Sequence, residues 1–186
     1  MKSKIIQIIK EVVEDYLNKD NLIQAVIFDF DLTLVDTHSY EPYHHYARTH
    51  RDWSIYDKHV QETSVYQGIK ELVSYLHDNN IRVIVVTDNK QSVAANTLTY
   101  HGVQYDAIAG AQGYASKASR MLRLLGKFSI NPSNAISIGD MPSDKVQSDK
   151  AQIKFIGCSW GNNMINGINN PLDIIKIIER YNKKDE

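Results

Sequence analysis

The 186-residue sequence contains one cysteine, four prolines and no long apolar run, and its charges nearly balance. The lone cysteine, Cys158, excludes a disulfide within the chain and favours a reducing, cytoplasmic location. No apolar run approaches the roughly 20 residues that a membrane-spanning helix needs, so we expect no membrane association. With 21 basic and 22 acidic side chains, the sequence gives no sign of a general affinity for nucleic acid or anionic lipid.

What the sequence does contain is an alternation of short apolar runs and amphipathic segments. Strands are predicted at 25–30, 83–86, 107–109, 135–138 and 154–156. Helices are predicted at 68–77, 91–101, 117–125 and 143–151, with a final one opened by Asn170 and Pro171. This order predicts an α/β fold with a doubly wound, Rossmann-like, mostly parallel sheet and helices on both faces. Residues 1–186 fit a single domain.

Two segments lie outside this alternation. Residues 1–20 show the spacing of an amphipathic helix, which we expect to pack on the sheet rather than form a dimer contact or attach to a surface. Residues 37–66 are predicted to be a small, cap-like insert after the first strand, rich in histidine and tyrosine. These side chains fit three interpretations: packing or a solvated loop, contact with a substrate, or a transition-metal site at His44, His45 and His50.

Two carboxylates stand at the end of the first predicted strand. Asp29 and Asp31 are separated by a single residue, Phe30. In an extended segment their side chains therefore project to the same face. Like charges held this close must share a cation or a proton. The alternative is an ordinary polar turn, in which aspartate is common.

Further polar residues follow the later strands or precede a helix. They are Thr87, Asp88, Asn89, Lys117, Asp140 and Asp144. Because the carboxyl ends of parallel strands meet at one edge of a sheet, we expect a crevice lined by carboxylates, one ammonium group and neutral donors. Oxygen ligands of this kind suit Mg²⁺, and phosphoryl transfer depends mainly on positioning and charge neutralisation.

In the same order, these residues resemble the four motifs of the haloacid dehalogenase (HAD) superfamily. The first motif corresponds to Asp29-Phe30-Asp31-Leu32-Thr33, the second to Thr87, the third to Lys117, and the fourth to the segment from Gly139 to Asp144. The resemblance implies a HAD-like hydrolase of the phosphatase type with a minimal cap, because dehalogenases of the family lack the second aspartate. Lys117 is followed by alanine where proline is common, which leaves Lys90 and Lys127 as rivals.

The resemblance also implies a role for each residue. Asp29 would be the nucleophile that forms an aspartyl-phosphate, and Asp31 the general acid and then the general base. Mg²⁺ would be held by the carboxylates of Asp29 and Asp140 and the backbone carbonyl of Asp31, with Asp144 acting through water or by orienting Lys117. The residues implied to bind phosphoryl oxygens are Thr87, Asp88, Asn89 and Lys117, with backbone amides contributing near Asp31 and Asn89.

The substrate is expected to be a phosphorylated compound. A small metabolite is favoured, while nucleotides, macromolecular phosphates and a homo-oligomeric state stay open. A phosphotransferase and a non-catalytic module that binds a phospholigand or a partner are the alternative functions. Trp160 is expected to line the entrance of the site, and Cys158 to be a small buried residue.

Overall fold

The computed structural model describes residues 22–111 and 115–182. Its strands are β1 (Ala25–Phe28), β2 (Val35–Asp36), β3 (Ser64–Val65), β4 (Arg82–Val86), β5 (Ala107–Ala109), β6 (Ala135–Gly139) and β7 (Lys154–Gly157). Five of them form a parallel sheet in the order β5-β4-β1-β6-β7, and β2 pairs with β3 in a separate antiparallel ribbon. The predicted α/β fold is therefore confirmed.

Helices cover both faces of the sheet. They are α1 (Glu41–His50), α2 (Ser54–Lys58), α3 (Ile69–Asp78), α4 (Gln91–Tyr100), α5 (Lys117–Lys127), α6 (Pro142–Lys150) and α7 (Asp173–Asn182). Helices α3, α4 and α7 pack on the face that Val26 and Phe28 present, whereas α5 packs on the face of Ala25 and Ile27. Since β1 is buried on both faces, it is apolar throughout, as central parallel strands usually are. No helix in the described part of the chain is long and apolar enough to cross a membrane.

The element boundaries differ from the predictions by a few residues. β1 ends at Phe28, two residues earlier than predicted, because the chain turns there towards the site. The last helix begins at Asp173, since Asn170 caps a turn in which its Oδ1 accepts the Leu172 N–H at 3.0 Å. The predicted helix at 1–20 lies outside the described residues, and the assignment of 1–186 to one domain stays a prediction.

The insert is helical. It consists of a 3₁₀ turn at His38–Tyr40, helices α1 and α2, and a second 3₁₀ turn at Val60–Glu62, and the β2–β3 ribbon closes its base. Tyr40 and Tyr56 are fully buried and meet edge to face, with ring centres 4.8 Å apart. The Tyr40 hydroxyl lies 2.9 Å from Thr97 Oγ1 on α4, which anchors the insert to the main domain. Packing therefore accounts for part of the tyrosine content of this segment.

Candidate active site

The turn after β1 places two carboxylates in one cavity. The Asp29 N–H donates to the carbonyl of Ile138 at 2.9 Å, and the chain then leaves the sheet. Leu32 adopts a φ of 55°, a left-handed conformation that is strained for leucine. Asp29 and Asp31 both line the cavity, as expected, but a turn brings Asp31 there, not the side-chain alternation of a strand.

Lys117 lies between two carboxylates. Its Nζ is 2.7 Å from Asp29 Oδ1 and 2.6 Å from Asp144 Oδ1, and the residue is 5% exposed. Burial alone would lower the pKa of Lys117, but the two carboxylates outweigh it and raise the pKa above its ordinary value. Lys117 is the first residue of α5, which Ser116 caps by accepting the Ser119 N–H. The helix start thus fixes the position of the ammonium group.

Three carboxylates, two of them buried and that of Asp29 partly buried, lie close together at this point. Asp29, Asp140 and Asp144 each place an oxygen within 4.8 Å of the others. Burial raises the pKa of Asp29 to about 7, although Lys117 opposes the shift, and burial also raises the pKa of Asp140. Asp29 Oδ1 is close to Lys117 Nζ but makes no hydrogen bond of good geometry. With one ammonium for three carboxylates, the cluster suits an additional small cation with oxygen ligands.

Because Gly139 has no side chain, the carboxylate of Asp144 can lie against its Cα. A Cβ at Gly139 would lie 2.5 Å from Asp144 Oδ2, too close for any other residue to fit without displacement. Asp144 Oδ2 also accepts the Met141 N–H at 3.1 Å at the start of α6. On the other side of the cluster, the Thr33 hydroxyl donates to Asp140 Oδ1 at 3.0 Å. The spacing of the fourth motif therefore has a steric reason.

The end of β4 supplies neutral donors to Asp31. Asn89 Nδ2 lies 3.3 Å from Asp31 Oδ1, and the Thr87 hydroxyl lies 3.4 Å from Asp31 Oδ2. The Asn89 N–H donates to Thr87 Oγ1 at 3.0 Å, so the two residues orient each other. Burial raises the pKa of Asp31, although hydrogen bonding to Thr37 and Asn89 opposes the shift.

Arg120, which was not among the predicted site residues, holds the same strand end from the side of α5. Its guanidinium is buried and donates to the Thr87 carbonyl and to the Asp88 carboxylate. The Asp88 side chain is thus engaged with Arg120, and Asp88 can offer only its backbone N–H to a phosphoryl group. Arg120 follows Lys117 by three residues on α5, and this i, i+3 spacing was a usable signal for a shared helix face.

The loop after β7 makes contacts to the site that were not predicted from the sequence. We call residues 158–162 the clasp loop. The Trp160 indole N–H donates to the Thr33 carbonyl at 2.8 Å, and the Asn162 side-chain amide donates to the Asp140 carboxylate. Trp160 does not line the cavity, contrary to expectation, because its indole is committed to the turn after β1. Cys158 is buried, and burial raises its pKa to about 12, so it is the small buried thiol that was expected.

The cavity extends from these residues to the insert and has a volume of about 730 Å³. The insert contributes His38, Glu41, His44, Arg48, Trp53 and Tyr56 to its wall. Of the two rival lysines, Lys90 lines the cavity with Nζ 5.0 Å from the Trp53 ring centre, whereas Lys127 contacts Phe128 at the other end of α5. In the described ranges, the insert histidines form no second cluster with ligand atoms as close as those of the aspartate group.

Fold and site together define a class of protein: a doubly wound α/β protein with an acidic, lysine-containing crevice at the carboxyl edge of a parallel sheet. The family model of haloacid dehalogenase-like hydrolases matches residues 39–158. The chain therefore belongs to the haloacid dehalogenase-like hydrolases. The match runs from the insert to the start of the clasp loop and leaves out the segment of Asp29 and Asp31.

Solved structures share this fold. A haloacid dehalogenase-like hydrolase from Streptococcus pneumoniae has a TM-score of 0.69 and 18% identity over 83% of this chain and 98% of its own. A predicted phosphatase from Clostridium acetobutylicum has a TM-score of 0.68 and 21% identity over 85% and 99%. A predicted phosphoglycolate phosphatase from Haemophilus somnus has a TM-score of 0.69 and 16% identity over 83% and 97%. A comparison with curated proteins gives no match.

Proposed function

We propose that this protein hydrolyses phosphomonoesters, with Mg²⁺ as cofactor, through a phosphorylated Asp29. The observation that supports this most directly is the buried contact of 2.7 Å between Asp29 Oδ1 and Lys117 Nζ. Asp140 and Asp144 complete a compact carboxylate cluster at the same place. Phosphoryl transfer depends mainly on positioning and charge neutralisation, and this cluster can supply both.

The carboxylate cluster supports the choice of cofactor. We assign the carboxylates of Asp29 and Asp140 and the backbone carbonyl of Asp31 as Mg²⁺ ligands. We assign Asp144 the role of orienting Lys117. Its Oδ1 accepts a hydrogen bond from the lysine ammonium, and its Oδ2 accepts one from the backbone N–H of Met141. When bound, the ion offsets negative charge on the phosphoryl oxygens.

The proposed reaction has two steps. Asp29 attacks phosphorus, the bond to the leaving oxygen breaks, and Asp31 donates a proton to that oxygen. Burial raises the pKa of Asp31, which favours the protonated form that this step needs. In the second step water attacks phosphorus, the bond between phosphorus and the Asp29 oxygen breaks, and inorganic phosphate is released. Asp31 accepts a proton from the attacking water, so one side chain serves both half-reactions.

The residues at the end of β4 are proposed to bind the phosphoryl oxygens. Thr87 and Asn89 lie next to Asp31, where the transferred group must pass, and Lys117 offsets its charge from the other side. Asp88 is proposed to contribute its backbone N–H only, because Arg120 holds its carboxylate. The small insert and the cavity volume favour a small phosphorylated metabolite as substrate.

The test is a hydrolysis assay over phosphorylated metabolites, nucleotides, phosphopeptides and p-nitrophenyl phosphate, in Mg²⁺ and in EDTA. We expect EDTA to abolish turnover and Asp29→Asn to reduce it by about 10³-fold or more. Asp149→Asn is the matched control, because Asp149 is exposed, pairs with Lys145 and lies outside the cavity. Retained turnover in Asp29→Asn or in EDTA would contradict the proposal.

A further inference from the structure

The cavity has room beyond the phosphoryl group. Its volume of about 730 Å³ lies well inside the range of about 300–1,000 Å³ that is usual for small-molecule sites. Its floor consists of Asp29, Asp31, Asp144 and Lys117, whose roles are proposed above. Its outer wall comes from the insert, where no residue has yet been given a role. The leaving group of the substrate must lie against this wall.

One face of α1 supplies three polar side chains to the outer wall. Glu41, His44 and Arg48 all line the cavity, and their i, i+3, i+7 spacing places them in one stripe along the helix. The His44 ring is held by a 2.6 Å contact between Nδ1 and the hydroxyl of the fully buried Tyr56. Glu41 and Arg48 stand about 10 Å apart along the helix axis, so they mark opposite ends of the stripe.

Some cationic side chains of the cavity are paired with carboxylates and others are not. Lys117 is engaged with two carboxylates. Within the described ranges no carboxylate lies within 4.0 Å of Arg48 or Lys90, and Lys90 Nζ rests 5.0 Å from the centre of the Trp53 ring. An arginine guanidinium can bind a carboxylate or phosphate through two parallel hydrogen bonds. Arg48 on the insert and Lys90 at the start of α4 are therefore free to bind an anion in the cavity.

We infer that the preferred substrate is a phosphomonoester whose leaving group carries a second anionic group, bound by Arg48 and Lys90. The inference rests on the proposed phosphatase function, since it describes the other end of the same substrate. Glu41 repels an anion at its own end of the stripe, which directs the anionic group towards Arg48. Arg48 and Lys90 are thus specificity-determining residues. The anionic group is a carboxylate or a second phosphate, because both present the oxygens that these cations bind.

The test uses substrates that differ only in this group. Phosphorylated hydroxy acids of graded chain length are compared with their methyl esters, with the corresponding diol bisphosphates and with nucleoside monophosphates. We expect kcat/KM for the acids or the bisphosphates to exceed that for the esters by about tenfold or more, mainly through KM. The substrate series with the higher kcat/KM, acids or bisphosphates, shows whether the second anionic group is a carboxylate or a phosphate. Equal turnover of acids, bisphosphates and esters, or a preference for nucleoside monophosphates, would overturn the inference.

Variants of Arg48 test whether this residue causes the preference for substrates with a second anionic group. Arg48→Ala is expected to abolish most of the preference for the anionic substrate, and Arg48→Lys to retain part of it. Lys58→Ala is the matched control, because it removes the same charge from an exposed position of the insert outside the cavity. An equal effect of Lys58→Ala would mean that the net charge of the insert acts at a distance, which would refute direct binding by Arg48.

Binding measurements separate this inference from the proposed function. Isothermal calorimetry with the Asp29→Asn variant and Mg²⁺ compares binding of a phosphorylated acid with that of its methyl ester, without turnover. Tighter binding of the acid that disappears with an additional Arg48→Ala change supports the inference even if the wild-type protein hydrolyses nothing. Equal binding of the acid and the ester contradicts it even if hydrolysis is efficient.

Discussion

Replacing Gly161 with alanine is expected to displace the turn that carries Asp31. A Cβ at Gly161 would lie 1.8 Å from the carbonyl oxygen of Leu32 and 2.7 Å from its carbonyl carbon. Ordinary contact begins at 3.4 Å, so the clasp loop or the Leu32 carbonyl must move by about 1.6 Å. Leu32 is the residue after Asp31 and already has a strained φ of 55°, so little tolerance remains in this turn.

The size of the effect follows from this displacement. Forcing extra atoms into a packed site typically costs about 1–3 kcal/mol of stability. A misplacement of about 1 Å at a reacting group can cost about 10²-fold in rate. We therefore expect Gly161→Ala to lower the melting temperature moderately and kcat by about 10²-fold. A smaller change in KM is expected, because the hydrogen bonds of Thr87 and Asn89, just beyond β4, run to each other and to Asp31 and not to the clasp loop in the described part of the chain.

Thermal unfolding and steady-state hydrolysis of p-nitrophenyl phosphate measure both effects. Gly126→Ala is the matched control, since a Cβ there meets nothing within 4 Å. Because Gly126 lies in α5, this control should gain about 0.5–1 kcal/mol of stability and keep wild-type activity. Trp160→Phe, which removes the indole hydrogen bond to the Thr33 carbonyl and part of the ring volume, should lower kcat several-fold without unfolding the protein. Wild-type kcat and melting temperature in Gly161→Ala would refute the reasoning.

Three further perturbations have expected outcomes. Arg120→Met removes the buried donor to the Thr87 carbonyl, so it should lower the free energy of unfolding in urea by about 1–3 kcal/mol and also lower kcat. Arg123→Met is the control, because Arg123 is exposed, and it should change neither quantity. Burial opposes a low pKa at Asp106, but the Val83 N–H and Arg82 outweigh it and lower the pKa below 3.8. Asp106 therefore stabilises the fold above about pH 4 and loses this effect as the pH falls through its folded pKa. Asp106→Asn should cost about 1 kcal/mol at pH 7 and progressively less as the pH falls below about 4, and a cost that does not change with acidification would contradict this assignment. Mg²⁺ at about 100 times its Kd should stabilise the fold by about 2.7 kcal/mol, and Asp140→Asn should abolish this gain.

The strands and helices could be predicted because their periodicities are local. β1 is buried on both faces, so its sequence is apolar at every position, and α3 repeats buried residues at helical spacing. The end of β1 was misplaced because Phe30 is also apolar and fully buried, although it belongs to the turn. Nothing in the local pattern distinguishes a buried strand residue from a buried turn residue. The left-handed Leu32 that ends the strand is equally hard to foresee, since leucine rarely adopts this conformation.

Some residues of the candidate site could likewise be predicted from the sequence, and others could not. Asp29, Asp31 and Asp140 lie at or just beyond strand ends, and the ends of parallel strands meet at one edge whatever the tertiary detail, so their convergence could be inferred. Arg48 reaches the cavity only because α1 is helical and packs over it, and a polar helix face in the sequence alone indicates exposure to solvent. The groups proposed for the chemistry thus follow from topology, whereas those proposed for substrate choice follow from how the insert is folded. A variant of Arg48 should accordingly change which phosphomonoester is preferred while leaving the Asp29 chemistry intact.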